Sequence, residues 1–306
     1  MNILEFLFNY LVFPGFLFTA IIGMFLTWID RKVTARIQMR VGPPWYQPYA
    51  DFLKLLIKET IIPEGTSSVL FYLGPLLGLI AMSLLAVMLF KMNFAPKTTF
   101  VGDLIVMIYL LALPPIGVII GGSASRNPLA SVGASREMTQ YFAYELPFLI
   151  TLAGIVLKAG GTIKFGDIIQ YQQMHGPFLY SISGIIFGLI FLFVIQAKLG
   201  FVPFDIPEAE QEIMAGPYIE YSGVALGLYK ITRAMMLFLL PLFMISLLWG
   251  GIGDWWAILK FLLILGLVIL IKNTNPRLRI DQTLKFFWLF MGILAIIGVV
   301  LALKGF

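Results

Sequence analysis

Five of the chain's 16 acidic residues stand in one stretch, FDIPEAEQEIMAGPYIEYSG, as Asp205, Glu208, Glu210, Glu212 and Glu220. Carboxylates this close in a low dielectric cannot all stay ionised, so some should bind protons together as a coupled group. Asp205 with Glu208 three residues on fits a capping box, with Pro207 in the first turn of a short helix. Glu208 and Glu212 share a face at i, i+4, and Glu210 points away. The plain alternative is a solvated acidic loop. Against it stand Phe201 to Phe204 and Ile206 before the cluster, Ile213, Met214 and Ala215 inside it, and Pro217 and Tyr218 after it. A solvated loop does not need that apolar packing.

A second carboxylate group lies in GGSASRNPLASVGASREMTQYFAYELPF, residues 121–148. Its first half, rich in Gly, Ser and Ala, suits close helix packing in lipid. Glu137, Tyr141, Tyr144, Glu145 and Phe148 then fall at i, i+4, i+7, i+8 and i+11, one helical stripe. Glu145 comes about two turns after Glu137 and should sit inside the bilayer. A charge there costs about 2.5–3.5 kcal/mol on insertion scales, so it needs a partner, a proton or water. It is either a neutral packing group bonded to a neighbouring helix or a protonatable relay.

The third chemical segment is basic: DRKVTARIQMRVGPPWYQPYADFLKLLIKET. Arg31, Lys32, Arg36 and Arg40 put four cations within ten residues, more than orientation alone needs. Gly42, Pro43 and Pro44 break the helix. Tyr49, Phe52, Leu53, Leu56 and Ile57 then recur with helical spacing, predicting an amphipathic helix in the interface. It reads either as a lipid-surface helix or as a docking platform for a soluble subunit.

The elements that carry these segments are membrane helices. The chain has 306 residues, 60% hydrophobic and 12% charged, with net charge +5 and mean hydropathy +0.94. A soluble domain carries about 25% charged residues and could not hide this much apolar surface. The positive balance is spread between apolar runs and points to no nucleic acid. Eight runs reach spanning length: 6–28, 69–90, 102–121, 139–157, 178–196, 224–248, 255–271 and 284–303. The expected fold is all-α, a polytopic membrane protein of about eight transmembrane helices plus a cytoplasmic-side amphipathic helix. It forms a single integral membrane domain over 1–306, with a basic segment at 29–67 and an acidic loop at 199–223. The halves show no internal repeat. The first run carries Glu5 and no basic flank, and reads as a retained span rather than a signal peptide.

Fifteen of the 21 basic residues fall on the odd-numbered connections; Lys91, Lys97, Lys158, Lys164, Lys260 and Lys304 fall on the other side. The positive-inside rule makes the odd connections cytoplasmic and both termini outward, in the cell membrane. Acidic and basic segments then share one side and should meet. With no cysteine and one histidine, His175, the chain cannot form disulfides, hold a cluster by thiolates or build the usual zinc site. No cofactor is expected in this chain, and His175 receives no role.

Two motifs carry a resemblance. DRKVTARIQMRVGP resembles the block acidic-Arg-Lys…Ala-Arg-x-Gln-x-Arg-x-Gly-Pro, and PFDIPEAEQEIMAGPYIEYSG resembles Pro-Phe-Asp-x-Pro-Glu-Ala-Glu…Glu-Tyr-Ser-Gly. Both belong to the proton-path, quinone-chamber membrane subunit of the respiratory complex I family, and the likeness covers nearly the whole chain. The shortened GPPWYQPYADFLKLL, and GASREM where complex I members tend to read Gly-Ala-Leu-Arg, are most similar to the membrane-bound, energy-converting [NiFe] hydrogenase branch. That resemblance implies a non-catalytic coupling subunit of an oxidoreductase complex. Its partners would be cluster-bearing and [NiFe]-type peripheral subunits, antiporter-like membrane subunits, and ferredoxin as electron donor. The [NiFe] centre and iron–sulfur clusters would sit in those partners, and a quinone site is doubtful. Glu145, Glu137, Asp205, Glu208, Glu210, Glu212 and Glu220 match the family's proton-path and coupling positions. Arg31, Lys32, Arg36 and Arg40 match its docking segment.

The same resemblance admits a proton-path subunit of an NADH- or deazaflavin-linked quinone-reducing complex I, or of a ferredoxin-linked sulfur reductase. Two rivals come from other classes. A stand-alone secondary transporter would favour inverted repeats. A passive membrane anchor would account for the basic segment but not for Glu145 or the acidic loop.

Overall fold

The computed structural model describes residues 3–96 and 99–305. Lys97, assigned above to the outer side, lies outside them. The helices are α1 (Ile3–Leu11), α2 (Phe16–Ile37), α3 (Gln47–Ile57), α4 (Ser68–Phe94), α5 (Asp103–Ala124), α6 (Pro128–Lys158), α7 (Phe165–His175), α8 (Ile182–Lys198), α9 (Glu210–Ile213), α10 (Gly223–Leu248), α11 (Ala257–Thr274), α12 (Ile280–Lys285) and α13 (Gly292–Leu303). Among the described residues seven helical stretches are long and apolar enough to cross a membrane. The remaining apolar run, 178–196, forms α8, with 17 residues. At about 1.5 Å per residue it rises roughly 25 Å, short of a hydrocarbon core of about 30 Å. The 3-10 turn Phe178–Tyr180 extends it at one end.

The bundle is built around α10. In its most apolar stretch 94% of residues are buried, and beyond Arg233 this helix is apolar on all sides, as one surrounded by protein must be. Helices α2, α3, α4, α8 and α11 pack on it. Small residues set the close approaches. A methyl added to Gly23 of α2 would lie 2.3 Å from the Ala234 carbonyl oxygen of α10. One added to Gly117 of α5 would lie 2.4 Å from the Gly74 carbonyl of α4. Prolines lie inside the spanning helices, at Pro75, Pro114, Pro115, Pro147 and Pro241.

Helix α2 runs to Ile37, beyond the expected end of the first span at Trp28, so Arg31, Lys32 and Arg36 ride on the spanning helix itself. The amphipathic helix forms as α3. Pro48 is buried, and Phe52 and Leu55 meet Gly227 of α10. Leu53, Leu56 and Ile57 of the expected stripe remain exposed. Helix α7 falls in a segment read as a loop. Phe165, Ile168, Ile169 and Gln172 are its buried face, an i, i+3, i+4, i+7 pattern too short to register as a span.

Candidate functional site

The site lies where the ends of α2, α6, α8 and α10 meet the acidic loop. Glu145 of α6 is buried and accepts a 2.9 Å hydrogen bond from Nζ of Lys198, the last residue of α8. The Lys198 side chain is 0% exposed. Its ammonium lies 4.8 Å from the ring centroids of both Tyr144 and Phe148. Two rings and one carboxylate thus hold a cation that has left water, combining cation–π and charge-assisted bonding. This is the partner that the cost of an intramembrane carboxylate demands.

Helix α8 ends here for a local reason. Gly200 has φ +58°, and the Gly200 and Phe201 N–H groups donate back to the carbonyls of Ala197 and Gln196. That is a Schellman cap, which requires a left-handed residue. Gln140 of α6 fastens the cap from outside, donating to the carbonyls of Ala197 at 3.2 Å and Phe204 at 2.8 Å. The Gly200 carbonyl accepts Nη2 of Arg233 at 2.8 Å. Nη1 of the same guanidinium donates to both carboxylate oxygens of Glu208, each at 2.8 Å. Glu137 of α6 is half-buried, in electrostatic reach of Glu208, Arg233 and Lys198. Glu208, Arg233, Glu137, Lys198 and Glu145 therefore form a ladder of ionisable groups from the acidic loop into the bundle, held at its two ends by the Glu208–Arg233 and Glu145–Lys198 pairs.

The other acidic residues do not join it as one cluster. Asp205, nine-tenths buried, pairs with Arg277 at 2.7 Å. Exposed Glu212 pairs with Arg136 at 2.6 Å. Glu220 accepts from Asn127 at 2.5 Å, and Glu210 is exposed at the mouth of a cavity. Adjacent in sequence, they are dispersed in space because each is drawn to a different element. The expected capping box at Asp205 is absent for the same reason: Arg277 takes the carboxylate, and the short helix starts at Glu210 with Ala209 as its cap. Burial pushes the Asp205 carboxyl above its ordinary value, an effect the Arg277 guanidinium offsets only in part.

The acidic and basic segments do meet. Asp30, Arg31, Asp51, Asp205, Glu208, Glu210, Arg233, Lys272 and Arg277 line a cavity of about 420 Å³. Lys272 reaches Asp30 at 2.6 Å and lies 4.4 Å from the Phe201 ring centroid. Arg31 pairs with Asp51 at 3.0 Å. Asp30 Oδ1, Asp205 Oδ1 and Arg233 Nε are buried without a protein partner, the kind of polar lining that holds water or polar ligand atoms. Arg36 and Arg40 are exposed and Lys32 is half-buried.

Sequence reasoning missed the cations of this site. Lys198, Arg233, Lys272, Arg277 and Arg136 read only as orientation charges. Arg233 stands ten residues into α10, so the depth argument that singled out Glu145 applies equally to it.

Comparison with known proteins agrees with the motifs. The family model described as NADH dehydrogenase matches residues 10–303. The chain is 33% identical over 322 residues to a subunit of the NADH-quinone oxidoreductase of Thermomicrobium roseum, covering 95% of this chain and 94% of that one. It is 32% identical over 308 residues to the corresponding subunit of Geobacillus kaustophilus, covering 94% and 91%. A solved chain in the structure of the membrane-bound sulfane sulfur reductase, an archaeal respiratory membrane complex, matches with TM-score 0.85 and 30% identity over 94% of this chain and 96% of that one. With fold, motifs and near-complete coverage in agreement, the chain belongs to the NADH dehydrogenase family of complex I-related membrane subunits.

Proposed function

We propose that this chain is the membrane coupling subunit of a multi-subunit, redox-driven ion pump. It docks a peripheral module bearing a [NiFe] centre and iron–sulfur clusters at the end that carries Arg31, Lys32, Arg36, Arg40 and the acidic loop. It couples ferredoxin-linked electron transfer to proton or sodium movement through buried carboxylates. That end is cytoplasmic by its Lys/Arg excess, and both termini face outward. Antiporter-like membrane subunits in the same complex receive the signal. The observation that carries this reading is the ladder of ionisable groups that starts at the Glu208–Arg233 pair and ends at the buried Lys198–Glu145 pair. A tether has no need of an ion pair such as Lys198–Glu145 taken out of water.

In energetic terms the ladder has a modest task. Moving one charge against 100 mV costs about 2.3 kcal/mol, and a shift of one pKa unit supplies about 1.36 kcal/mol. Combined shifts of roughly two units along the ladder would cover one ion.

A second reading has its own support. The curated relatives are named as NADH-quinone oxidoreductase subunits, and the cavity of about 420 Å³ falls in the range of small-molecule pockets. On that reading the electron acceptor is a quinone. The sulfane sulfur reductase likeness favours a sulfur compound instead. Purifying the native complex in mild detergent and identifying its subunits separates these. A [NiFe]-type partner with ferredoxin-driven hydrogen release is expected. NADH- or deazaflavin-oxidising partners with quinone reduction would transfer the assignment to the second reading, and isolation without any cluster-bearing subunit would overturn both.

A further inference from the structure

Lys198 stands at a junction that the motifs did not reveal. It is the last residue of α8, one residue before the Leu199–Gly200 cap. The cap is rigid, closed by two backbone bonds and clamped by Gln140. The carbonyl of Gly200 is tied at 2.8 Å to the guanidinium that holds Glu208. Three links thus run from the acidic loop to the buried ammonium: Glu208 to Arg233, Arg233 to Gly200, and the cap to Lys198. On the other side the ammonium has one strong acceptor, Glu145. It also feels Glu137, about 12 Å from Glu145 along the helix axis.

We infer that Lys198 is the positioning residue through which the acidic loop acts on Glu145, its ammonium passing between Glu145 and Glu137 as the Glu208–Arg233 pair opens and closes. This rests on the coupling reading above and names its moving part. While Glu208 holds Arg233, the cap is fixed and Lys198 stays on Glu145. When Glu208 takes up a proton or turns to a docked partner, Arg233 loosens and the Gly200 carbonyl is released. The end of α8 can then shift, and Lys198 turns to Glu137. Glu145, left without its cation inside the bundle, takes a proton because an unpaired buried carboxylate is costly. The proton comes from solvent: one O–H bond of a hydronium ion breaks as the Glu145 O–H forms, leaving water, and the ammonium keeps all three of its protons. The rings of Tyr144 and Phe148 give the cation a favourable surface during the transfer.

The test uses the intact complex in sealed proteoliposomes driven by its own electron donor. Ion uptake per electron is read with a trapped pH dye and a sodium tracer. Redox turnover is read separately with ionophores present. Lys198→Met and Arg233→Lys, the latter keeping a cation for Glu208 while losing the Gly200 bond, are each expected to cut ions per electron about tenfold in assembled complex. A residue that only stabilises the fold would lower the yield of complex and leave that ratio alone. Where Lys198→Met does not assemble, Lys198→Arg carries the test, its fork being bound too firmly to pass between carboxylates, with an expected loss of about fivefold. If Glu145→Gln abolishes uptake while the Lys198 and Arg233 variants retain the parental ratio, the lysine link is wrong and the coupling reading survives. If all three retain it, both are wrong.

Discussion

Arg233 binds Glu208 through one guanidinium nitrogen at 2.8 Å to each carboxylate oxygen, while its other terminal nitrogen holds the Gly200 carbonyl at 2.8 Å. The guanidinium also lies 5.2 Å from the centre of the Phe201 ring. One side chain therefore joins α10, the end of α8 and the acidic loop. Its removal strands a carboxylate and a carbonyl together. Breaking a fully buried pair costs about 3–5 kcal/mol. These two side chains are 34% and 30% exposed, so solvent screening brings the expected cost of Arg233→Met to about 1–3 kcal/mol. Glu208→Gln keeps an acceptor for the guanidinium and should cost about 1 kcal/mol. Thermal unfolding in detergent checks the order. Equal losses would show that the Gly200 bond contributes nothing.

The two aspartates at the cavity should respond to pH with opposite signs. Asp205 has its carboxyl pushed above the ordinary 3.8 by burial, against the pull of Arg277. Its contribution is greatest below that value and is lost as pH rises through the folded-state value. Asp51 is pushed up by burial too, but the Arg31 and Gln47 hydrogen bonds and the Arg31 and Lys54 charges outweigh this and lower it below 3.8. Its contribution is present above that value and is lost as pH falls through the lowered one. Asp205→Asn should therefore flatten the loss of stability above pH 3.8, and Asp51→Asn should flatten the loss below it. Unfolding curves from about pH 3 to 7 for the two variants and the parent measure both slopes. The same slope change in both would refute the assignment.

Gly133 of α6 seats the return of the acidic loop. A methyl there would lie 2.6 Å from Pro217 Cδ and 2.9 Å from Gly216 Cα, closer than atoms pack, and neither neighbour is a flexible chain end. Gly133→Ala should cost about 1–3 kcal/mol as an overpacked contact. It should also weaken the Asn127–Glu220 bond of the same region. Limited proteolysis at 209–220 is expected to speed up relative to the parent, and unchanged cleavage would count against this seat.

How much of this is legible in the sequence depends on the range of the cause. Seven of the eight apolar spans, the basic helix end, the amphipathic helix and the helical position of Glu145 follow from composition and periodicity along one segment, and all are readable there. The scattering of Asp205, Glu212 and Glu220 to Arg277, Arg136 and Asn127 depends on elements far apart in sequence. Nearness in sequence suggests one coupled cluster, and tertiary pairing makes several separate ones. Lys198 is visible in the sequence but reads as something else. A lysine closing an apolar run is usually an orientation signal, and only the packing of α6 on α8 reveals that it points inward.

The central claim is that Glu145 takes part in moving ions. Its most direct test is ion uptake by sealed inverted vesicles carrying the whole complex with Glu145→Gln. The amide keeps the shape and can still accept a hydrogen bond from Lys198, so the complex should assemble in parental amount. Uptake is expected to fall about tenfold or more, with electron transfer slowed or uncoupled. Uptake at the parental rate from a fully assembled Glu145→Gln complex would contradict the account.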